Sequence, residues 1–559
     1  MKNPALSCLF NQIASMTHLR CLTFASLLLL ASAPSGIRAI ADEPVSSRQT
    51  EQPAVLARNV ILMIGDGMGP QQMGLLFAYA HHAEGSDFVD RKSALEQLMA
   101  RGHLAMMRTE PHGALVADSG AAATQLASGL WAGSEMIGVD YQGNRALSVL
   151  EIAHQMGKST GLISDTRLTH ATPAAFAAHQ RHRSMENEIA VDLLAAKVDV
   201  LLGGGLRHWI PAAANRRDSA AFASVVHMTG GVFEHTSKRV DNRNLLVEAR
   251  REYQLVFDHV GLKQVKPGRV LGLFSDSEMF DAIGERKALA ADDRTQPTLD
   301  EMTEKAIELL SKNPRGFFLM VEGGQIDWAG HNNDAGTMLA EMLRFDTAVQ
   351  TVFDWAKRRD DTLVLVTADH ETGSFGLSYS GSDLPDPRRI DGNVFEGEPH
   401  APNFNFGRAQ LMDDIHAQRC SFFEIFSEFD SLKPAQQTAE RLMAIVNDAI
   451  RPFAITLKDA TAILTRSPNR LYIEGHPYLG TRTLPRMPDQ QVFYVYGENL
   501  RLNRLGHILA SQQNVVWGTG THTNTPVALI SYGPGAGRFT GLLHSTDVGQ
   551  RMIDVVRGE

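Results

Sequence analysis

The chain has 559 residues, 43% of them hydrophobic, which is enough for one large domain or two to three ordinary ones with sizeable cores. Its 53 basic and 63 acidic residues give a formal charge of −10, which argues against nucleic acid as a specific partner. The cysteines are Cys8, Cys21 and Cys420, too few for a disulfide scaffold or a thiolate-rich metal domain, so the 21 histidines are the more interesting metal-capable residues.

Residues 1–41 have the pattern of a secretory signal peptide. An uncharged apolar run over residues 21–33 is followed by Ala39-Ile40-Ala41, a cleavage site of the A-x-A type. The run is shorter than the ~20 apolar residues that span a bilayer. The sequence therefore predicts an exported protein, periplasmic or secreted, without a membrane span. Cleavage removes three basic residues and no acidic one, which lowers the formal charge from −10 to −13.

Six short apolar runs are predicted to be buried strands, because each is nearly continuous in hydrophobic residues. The runs are Asn59–Ile64, Ser159–Ile163, Val198–Leu202, Gly316–Val321, Thr362–Val366 and Val527–Ile530. Helix-like stretches alternate with them, which predicts an α/β fold with a central, mostly parallel sheet sandwiched by helices.

Residues 377–513 depart from this alternation. They contain a Pro/Gly/Asp-rich stretch over residues 381–405, a helical segment around residues 435–450 and a strand-like piece at residues 491–495. We interpret them as a cap or subdomain inserted into a catalytic domain that comprises residues 42–376 and 514–559.

Acidic and imidazole residues stand at or just beyond the ends of several predicted strands. They are Asp66, Glu322, Asp369 and His370. In open α/β sheets, ligands bind beyond the carboxyl ends of the strands. Asp327 and His331 are four residues apart, which places both on one face of a helix. His522 precedes the last predicted strand, and imidazole and carboxylate ligands suit zinc where thiolates are absent.

Ser119 follows Asp118 and precedes a run of small residues that can begin a helix. Asp and Ser are common helix N-caps, which is one interpretation of the pair. A helix N-terminus also favours an anion, so Ser119 could equally lie where a phosphoryl group binds. A serine hydroxyl needs a base or a metal to act as a nucleophile. No G-x-S-x-G motif surrounds Ser119, which favours activation by a metal.

Taken together and in this order, the motifs resemble those of the alkaline phosphatase family. They are Ile64–Gly69, Asp118-Ser119, His170–Ala175, Val321–Gly324, Asp327 with His331, Thr367–Glu371 and Gly520–Thr523. The resemblance implies hydrolysis of small phosphate monoesters through a phosphoserine intermediate. Members of the family are often homodimers, but the sequence fixes neither the oligomeric state nor the natural substrate.

The resemblance also implies two Zn²⁺ ions, one Mg²⁺ ion and a role for each site residue. Ser119 would be the nucleophile, and Arg183, thirteen positions after His170, would bind two phosphate oxygens. One zinc would be held by Asp327, His331 and His522. The other would be held by Asp66, Asp369 and His370. The magnesium site would comprise Asp66, Thr172 and Glu322, with His170 beside it.

Two positions depart from the pattern of many family members. His170 stands where some have Asp, and because an imidazole brings no negative charge, we expect a change in magnesium affinity or competition by another ion. Trp328 stands where others have a charged or imidazole side chain. It is expected to pack at the edge of the cleft or to alter product release.

Three other functions are weighed against the phosphomonoesterase. A sulfatase needs a C/S-x-P-x-R context, which Ser119 lacks. Phosphodiesterases of the same superfamily generally lack the third-site acid, so Glu322 favours monoesters. A non-catalytic metal- or phosphate-binding protein would not require the Ser119 nucleophile.

Overall fold

A ten-stranded sheet forms the centre of the protein in a computed structural model that describes residues 57–488 and 490–559. The predicted signal peptide, residues 1–41, lies outside the described residues. The described strands belong either to this sheet or to one of three two-stranded sheets. In chain order they are β1 Asn59–Gly65, β2 His103–Arg108, β3 Ser159–Arg167, β4 Val200–Gly204, β5 Gln254–Val256, β6 Val270–Leu273, β7 Phe317–Gly323, β8 Thr362–Thr367, β9 Glu371–Thr372, β10 Phe375–Leu377, β11 Arg466–Pro468, β12 Thr483–Pro485, β13 Val515–Trp517, β14 His522–Thr523, β15 Val527–Tyr532 and β16 Gly541–His544. The two-stranded sheets pair β10 with β13, β11 with β12 and β14 with β9.

Helices flank this sheet, as in other α/β proteins. They are α1 Pro70–His82, α2 Ala94–Arg101, α3 Ser119–Ser128, α4 Val149–Gln155, α5 Ala171–Ala174, α6 Glu186–Ala195, α7 Ala220–Thr229, α8 Leu245–Ala249, α9 His259–Lys263, α10 Ala282–Ala291, α11 Leu299–Leu310, α12 Gln325–Asn332, α13 Ala335–Ala356, α14 Gln410–His416, α15 Phe422–Ser431, α16 Ala439–Ala449, α17 Leu457–Leu464, α18 Leu500–Leu509 and α19 Ser545–Arg557. Within the described residues, no helix is both long and apolar enough to cross a bilayer.

The strand order across the main sheet is β16-β2-β15-β8-β1-β7-β3-β4-β6-β5. All six predicted strands belong to this sheet, as β1, β3, β4, β7, β8 and β15, and the predicted α/β class is confirmed. One direction differs from a uniformly parallel sheet, because β15 runs antiparallel to both of its neighbours, β2 and β8. Strand direction depends on how the chain returns to the sheet, which the apolar run itself does not encode.

The central strands β1, β7 and β8 are buried along their whole length. Removing a large apolar side chain such as Leu62 from water stabilises the fold by about 1.5–3 kcal/mol. The three strands are also level at their carboxyl ends, because Ile64 pairs with Glu322 on one side and with Thr367 on the other. The residues that directly follow these strands are therefore brought to one edge of the sheet.

Residues 377–513 contain the helices α14 to α18 and the small hairpin of β11 and β12. The predicted helical segment at residues 435–450 corresponds to α16. The strand-like piece at residues 491–495 was expected to be extended, and this is wrong: Gln491–Phe493 forms a 3₁₀ turn that follows Gln490, whose φ is 49°. The division into a catalytic domain and an insertion stays a proposal.

Candidate active site

Three groups of side chains with metal-ligand chemistry meet at the carboxyl edge of the sheet. The first ligand group is Asp327, His331 and His522. The second is Asp66, Asp369 and His370. The third is Asp66, His170 and Glu322. Within each group the ligand atoms lie within 4.8 Å of one another. The sequence-predicted residues are thus brought together, with Asp66 shared between two groups.

The first ligand group is formed by one helix and one short strand. Asp327 and His331 lie on α12, which confirms the predicted helix, and His331 Nε2 is 3.2 Å from Asp327 Oδ2. His522 on β14 brings its Nε2 to 3.4 Å from Asp327 Oδ1 and to 3.0 Å from His331 Nε2.

Backbone carbonyls fix the tautomers of both imidazoles in this group. His331 Nδ1 donates to the carbonyl oxygen of Gly520 at 2.8 Å, and His522 Nδ1 donates to that of Ala117 at 2.7 Å. Because carbonyl oxygens only accept, the proton of each neutral ring lies on Nδ1, and the two Nε2 lone pairs face each other. Two lone pairs at 3.0 Å repel, and a cation bound by both nitrogens removes that repulsion, so the geometry fits a metal.

The second ligand group lies directly at the ends of β1 and β8. His370 Nε2 is 3.4 Å from Asp66 Oδ1 and 3.2 Å from Asp369 Oδ2. Thr372 Oγ1 donates to Asp327 and is 3.3 Å from His370 Nδ1, so it links the first and second groups. All three members of the second group are fully buried.

The third ligand group lies behind Asp66, on the side of β3. Thr172 Oγ1 donates to Asp66 Oδ2 at 3.2 Å, and Ser164 Oγ donates to Glu322. Several buried polar atoms have no hydrogen-bond partner among the described residues. They include Asp66 Oδ1, His170 Nδ1, Glu322 Oε1 and Asp369 Oδ2. Orphaned buried carboxylate oxygens are costly, and their convergence fits divalent cations.

The pKa values of three buried carboxyl groups in the site are raised, as expected where negative charges lie close together without a compensating cation. Burial, with a further contribution from neighbouring acids, raises the pKa of Glu322 to about 8 and that of Asp369 to about 6. Burial and the charge of Asp369 raise the pKa of Asp66 well above its ordinary value. Burial and the adjacent Arg183 lower the pKa of His170 to about 3, so this imidazole is neutral at working pH.

Ser119 is the first residue of α3, and Asp118 is its N-cap. Asp118 accepts hydrogen bonds from the backbone N–H groups of Gly120 and Ala121, at 2.8 and 3.4 Å. The capping interpretation therefore holds for Asp118, while the Ser119 side chain remains available. Its Oγ lies 3.2 Å from Nε2 of His370, a member of the second ligand group.

Arg183 reaches the same place from the segment that precedes α6. Its Nη1 donates to Asp118 Oδ2 at 3.2 Å and its Nη2 to His170 Nε2 at 3.1 Å. The guanidinium is thus held from both sides, next to Ser119. Trp328 packs edge to face on His170, with ring centroids 5.9 Å apart.

Three residues of the site have roles that motif reasoning missed. Asp118 orients Arg183 in addition to capping α3; its position directly before Ser119 was the available signal. Thr372 was detectable only as a polar residue two positions after His370. Tyr496 packs on His331, and no sequence signal marked it because it lies outside every matched motif.

Comparisons with known proteins show to which family the chain belongs. The model of the alkaline phosphatase family matches residues 57–400. Alkaline phosphatase 4 of Bacillus subtilis is 30% identical over 534 residues, which cover 92% of each chain. Alkaline phosphatase of Escherichia coli is 32% identical over 381 residues, which cover 61% of this chain and 76% of the other.

Solved structures of alkaline phosphatases share the fold. The enzyme of Thermus thermophilus superposes with a TM-score of 0.68 at 25% identity, over 90% of this chain and 94% of the other. The cold-active enzyme of a Shewanella species gives 0.62 at 25% identity, over 89% and 99%. The chain therefore belongs to the alkaline phosphatase family and is a phosphatase that acts on phosphate monoesters.

Proposed function

We propose that this phosphatase works through a covalent phosphoserine at Ser119, in a centre that holds two zinc ions and one magnesium ion. The strongest support is the position of the Ser119 hydroxyl, at the N-terminus of α3 and 3.2 Å from His370 Nε2. Zinc is assigned to the first and second ligand groups, where imidazole and carboxylate are combined. Magnesium is assigned to the third, where oxygen donors predominate.

When bound, the metal ions would favour deprotonation of a serine hydroxyl and of water, and would offset negative charge on the phosphoryl and leaving oxygens. The chain itself supplies position and orientation. The N-terminus of α3 directs its positive dipole end at the phosphoryl group. The planar fork of Arg183 can donate to two phosphate oxygens at once, as an ammonium group cannot.

The reaction comprises two displacements at phosphorus. In the first, Ser119 Oγ bonds to phosphorus, the bond to the leaving oxygen breaks and an alcohol departs. In the second, water attacks the phosphoserine, inorganic phosphate leaves and the serine hydroxyl is restored. Asp118 and His170 keep Arg183 in place throughout, because each accepts one of its terminal N–H groups.

Removal of the metal ions should abolish activity. We expect dialysis against EDTA to lower the hydrolysis of p-nitrophenyl phosphate by more than about 10³-fold, since loss of metal stabilisation costs several kcal/mol in the transition state. Zinc and magnesium should restore the rate. They should also raise the thermal unfolding midpoint in proportion to the logarithm of metal concentration. Full activity in a sample free of zinc by mass spectrometry would contradict the assignment of the metals.

His170→Asp should strengthen the magnesium site. The neutral imidazole contributes no charge there, whereas a carboxylate would add one to those of Asp66 and Glu322. We expect magnesium to bind about tenfold more tightly, which is ~1.4 kcal/mol, in a calorimetric titration of the zinc-loaded protein. His170→Asn is the matched neutral control and should show no such gain. Equal magnesium affinity in wild type and His170→Asp would refute the expectation.

A further inference from the structure

Tyr496 lies at the active site although it comes from residues 377–513. It stands between two 3₁₀ turns, Gln491–Phe493 and Gly497–Asn499, just before α18. The family model that matches this chain ends at residue 400. Tyr496 lies in the part of the chain that follows this match.

The ring of Tyr496 packs on the first ligand group. Its centroid is 4.7 Å from that of His331, at an interplanar angle of 73°. Tyr478 packs against it in turn, edge to face at 5.4 Å. Aromatic pairs of this geometry hold their rings in fixed relative positions.

Backbone contacts anchor the Tyr496 segment to the loop that carries His522. The Phe493 carbonyl accepts from Gly520 N–H at 3.2 Å and from Thr519 Oγ1 at 3.0 Å. From α18, Asn503 Nδ2 donates to the carbonyl oxygen of His331 at 2.6 Å. The segment is thus attached to the same backbone that carries His331 and His522.

The hydroxyl of Tyr496 is a free donor beside the phosphate-binding groups. It forms no hydrogen bond within the described part of the chain, and it is not sealed from solvent. It interacts electrostatically with Arg183, Asp327 and Asp118, which surround the position of the phosphoryl group in the proposed function. A neutral O–H donor without a partner among the described residues is available to an anionic ligand.

We propose that Tyr496 is a substrate-binding residue whose hydroxyl donates a hydrogen bond to a nonbridging oxygen of the phosphoryl group. This inference rests on the proposed function, because it takes the ligand to be a phosphate monoester bound between Arg183 and the zinc sites. It assigns residues 377–513 a direct part in substrate binding.

Tyr496→Phe tests the inference, because it removes the hydroxyl and keeps the ring on His331. Because the variant loses a hydrogen bond to a charged group, we expect kcat/KM for p-nitrophenyl phosphate to fall at least about tenfold. Inorganic phosphate should bind the variant more weakly by a similar factor in calorimetry. Methyl phosphate should show the same loss of kcat/KM, since the phosphoryl group is common to both substrates.

Tyr478→Phe is the matched control. It removes a hydroxyl from the aromatic neighbour of Tyr496 and should leave both parameters near wild type. Zinc content should be unchanged in both variants. Wild-type kcat/KM and phosphate affinity in Tyr496→Phe would overturn the inference. A loss of kcat/KM with p-nitrophenyl phosphate but not with methyl phosphate would also overturn it, because the hydroxyl would then contact the leaving group. An inactive wild type would instead refute the proposed function.

Discussion

Ser119→Ala should lower kcat for p-nitrophenyl phosphate by more than about 10³-fold, which corresponds to over ~4 kcal/mol of transition-state stabilisation. The variant lacks the nucleophilic oxygen that the proposed function places at the N-terminus of α3, 3.2 Å from His370 Nε2. After a rapid acid quench during turnover, the intact mass of wild type should show one added phosphoryl group, and the variant should show none.

The matched control for this change is Ser128→Ala at the opposite end of α3. Ser128 Oγ bonds to the Thr124 carbonyl oxygen and lies outside the three ligand groups. Its variant should keep wild-type kcat. Zinc content should be equal in all three proteins, because Ser119 is not one of the grouped ligands. Phosphate release by Ser119→Ala within tenfold of wild type would refute the phosphoserine mechanism.

Asp66→Asn should abolish activity and at the same time stabilise the metal-free protein. Asp66 belongs to two ligand groups, so its loss should weaken zinc and magnesium binding together. In the metal-free fold, however, its carboxylate is buried beside Asp369 and Glu322, and Oδ1 has no hydrogen-bond partner among the described residues. An amide carries no charge, and its N–H can donate to a neighbouring carboxylate oxygen.

We expect the free energy of unfolding of the metal-free Asp66→Asn protein to rise by about 1–3 kcal/mol in urea titrations at neutral pH. The advantage over wild type should grow as pH rises. Folding raises the pKa of Asp66, so the wild-type fold loses stability as the pH rises above the unfolded-state pKa of this carboxyl. The amide of the variant does not titrate, so the variant has no such loss. With zinc and magnesium present the order should reverse, because only wild type gains the binding free energy.

Asp346→Asn provides the contrasting control. Asp346 is also buried, but its two oxygens accept the backbone N–H groups of Ala94 and Leu95 at 2.8 and 3.0 Å. An amide N–H in that place would face donors, so this variant should be destabilised by about 1–3 kcal/mol and should keep its metals. If Asp66→Asn also lowered metal-free stability, the view of Asp66 as an uncompensated buried charge would be wrong.

Much of the site could be predicted from the sequence because its residues stand in fixed local contexts. Asp66 and Asp369 each come after a nearly continuous apolar run, and such runs become buried strands whose ends meet at one edge of the sheet. Asp327 and His331 share a helix face by their spacing alone. His522 depended on the family resemblance, since β14 has only two residues and no periodic pattern.

The contacts between distant segments could not be predicted in this way. The Nδ1 proton of His522 is directed by the carbonyl of Ala117, a residue 405 positions away in the chain. Tyr496 reaches His331 from a segment where the sequence suggested a strand, and the Gln491–Phe493 turn bends it toward the site. Neither contact could be predicted from the local composition or periodicity of the sequence.

The sequence by itself determined the α/β class and six of the strands, because these depend on hydrophobic periodicity. Short motifs and the family resemblance that they carry supplied the nucleophile and ligand candidates. Only the tertiary structure decided the antiparallel direction of β15 and the tautomers of His331 and His522. It also decided the hydrogen bonds of Arg183 to Asp118 and His170, and the packing of Tyr496 on His331. These features depend on which distant segments pack together, and that packing is determined by the fold as a whole and not by any local stretch of sequence.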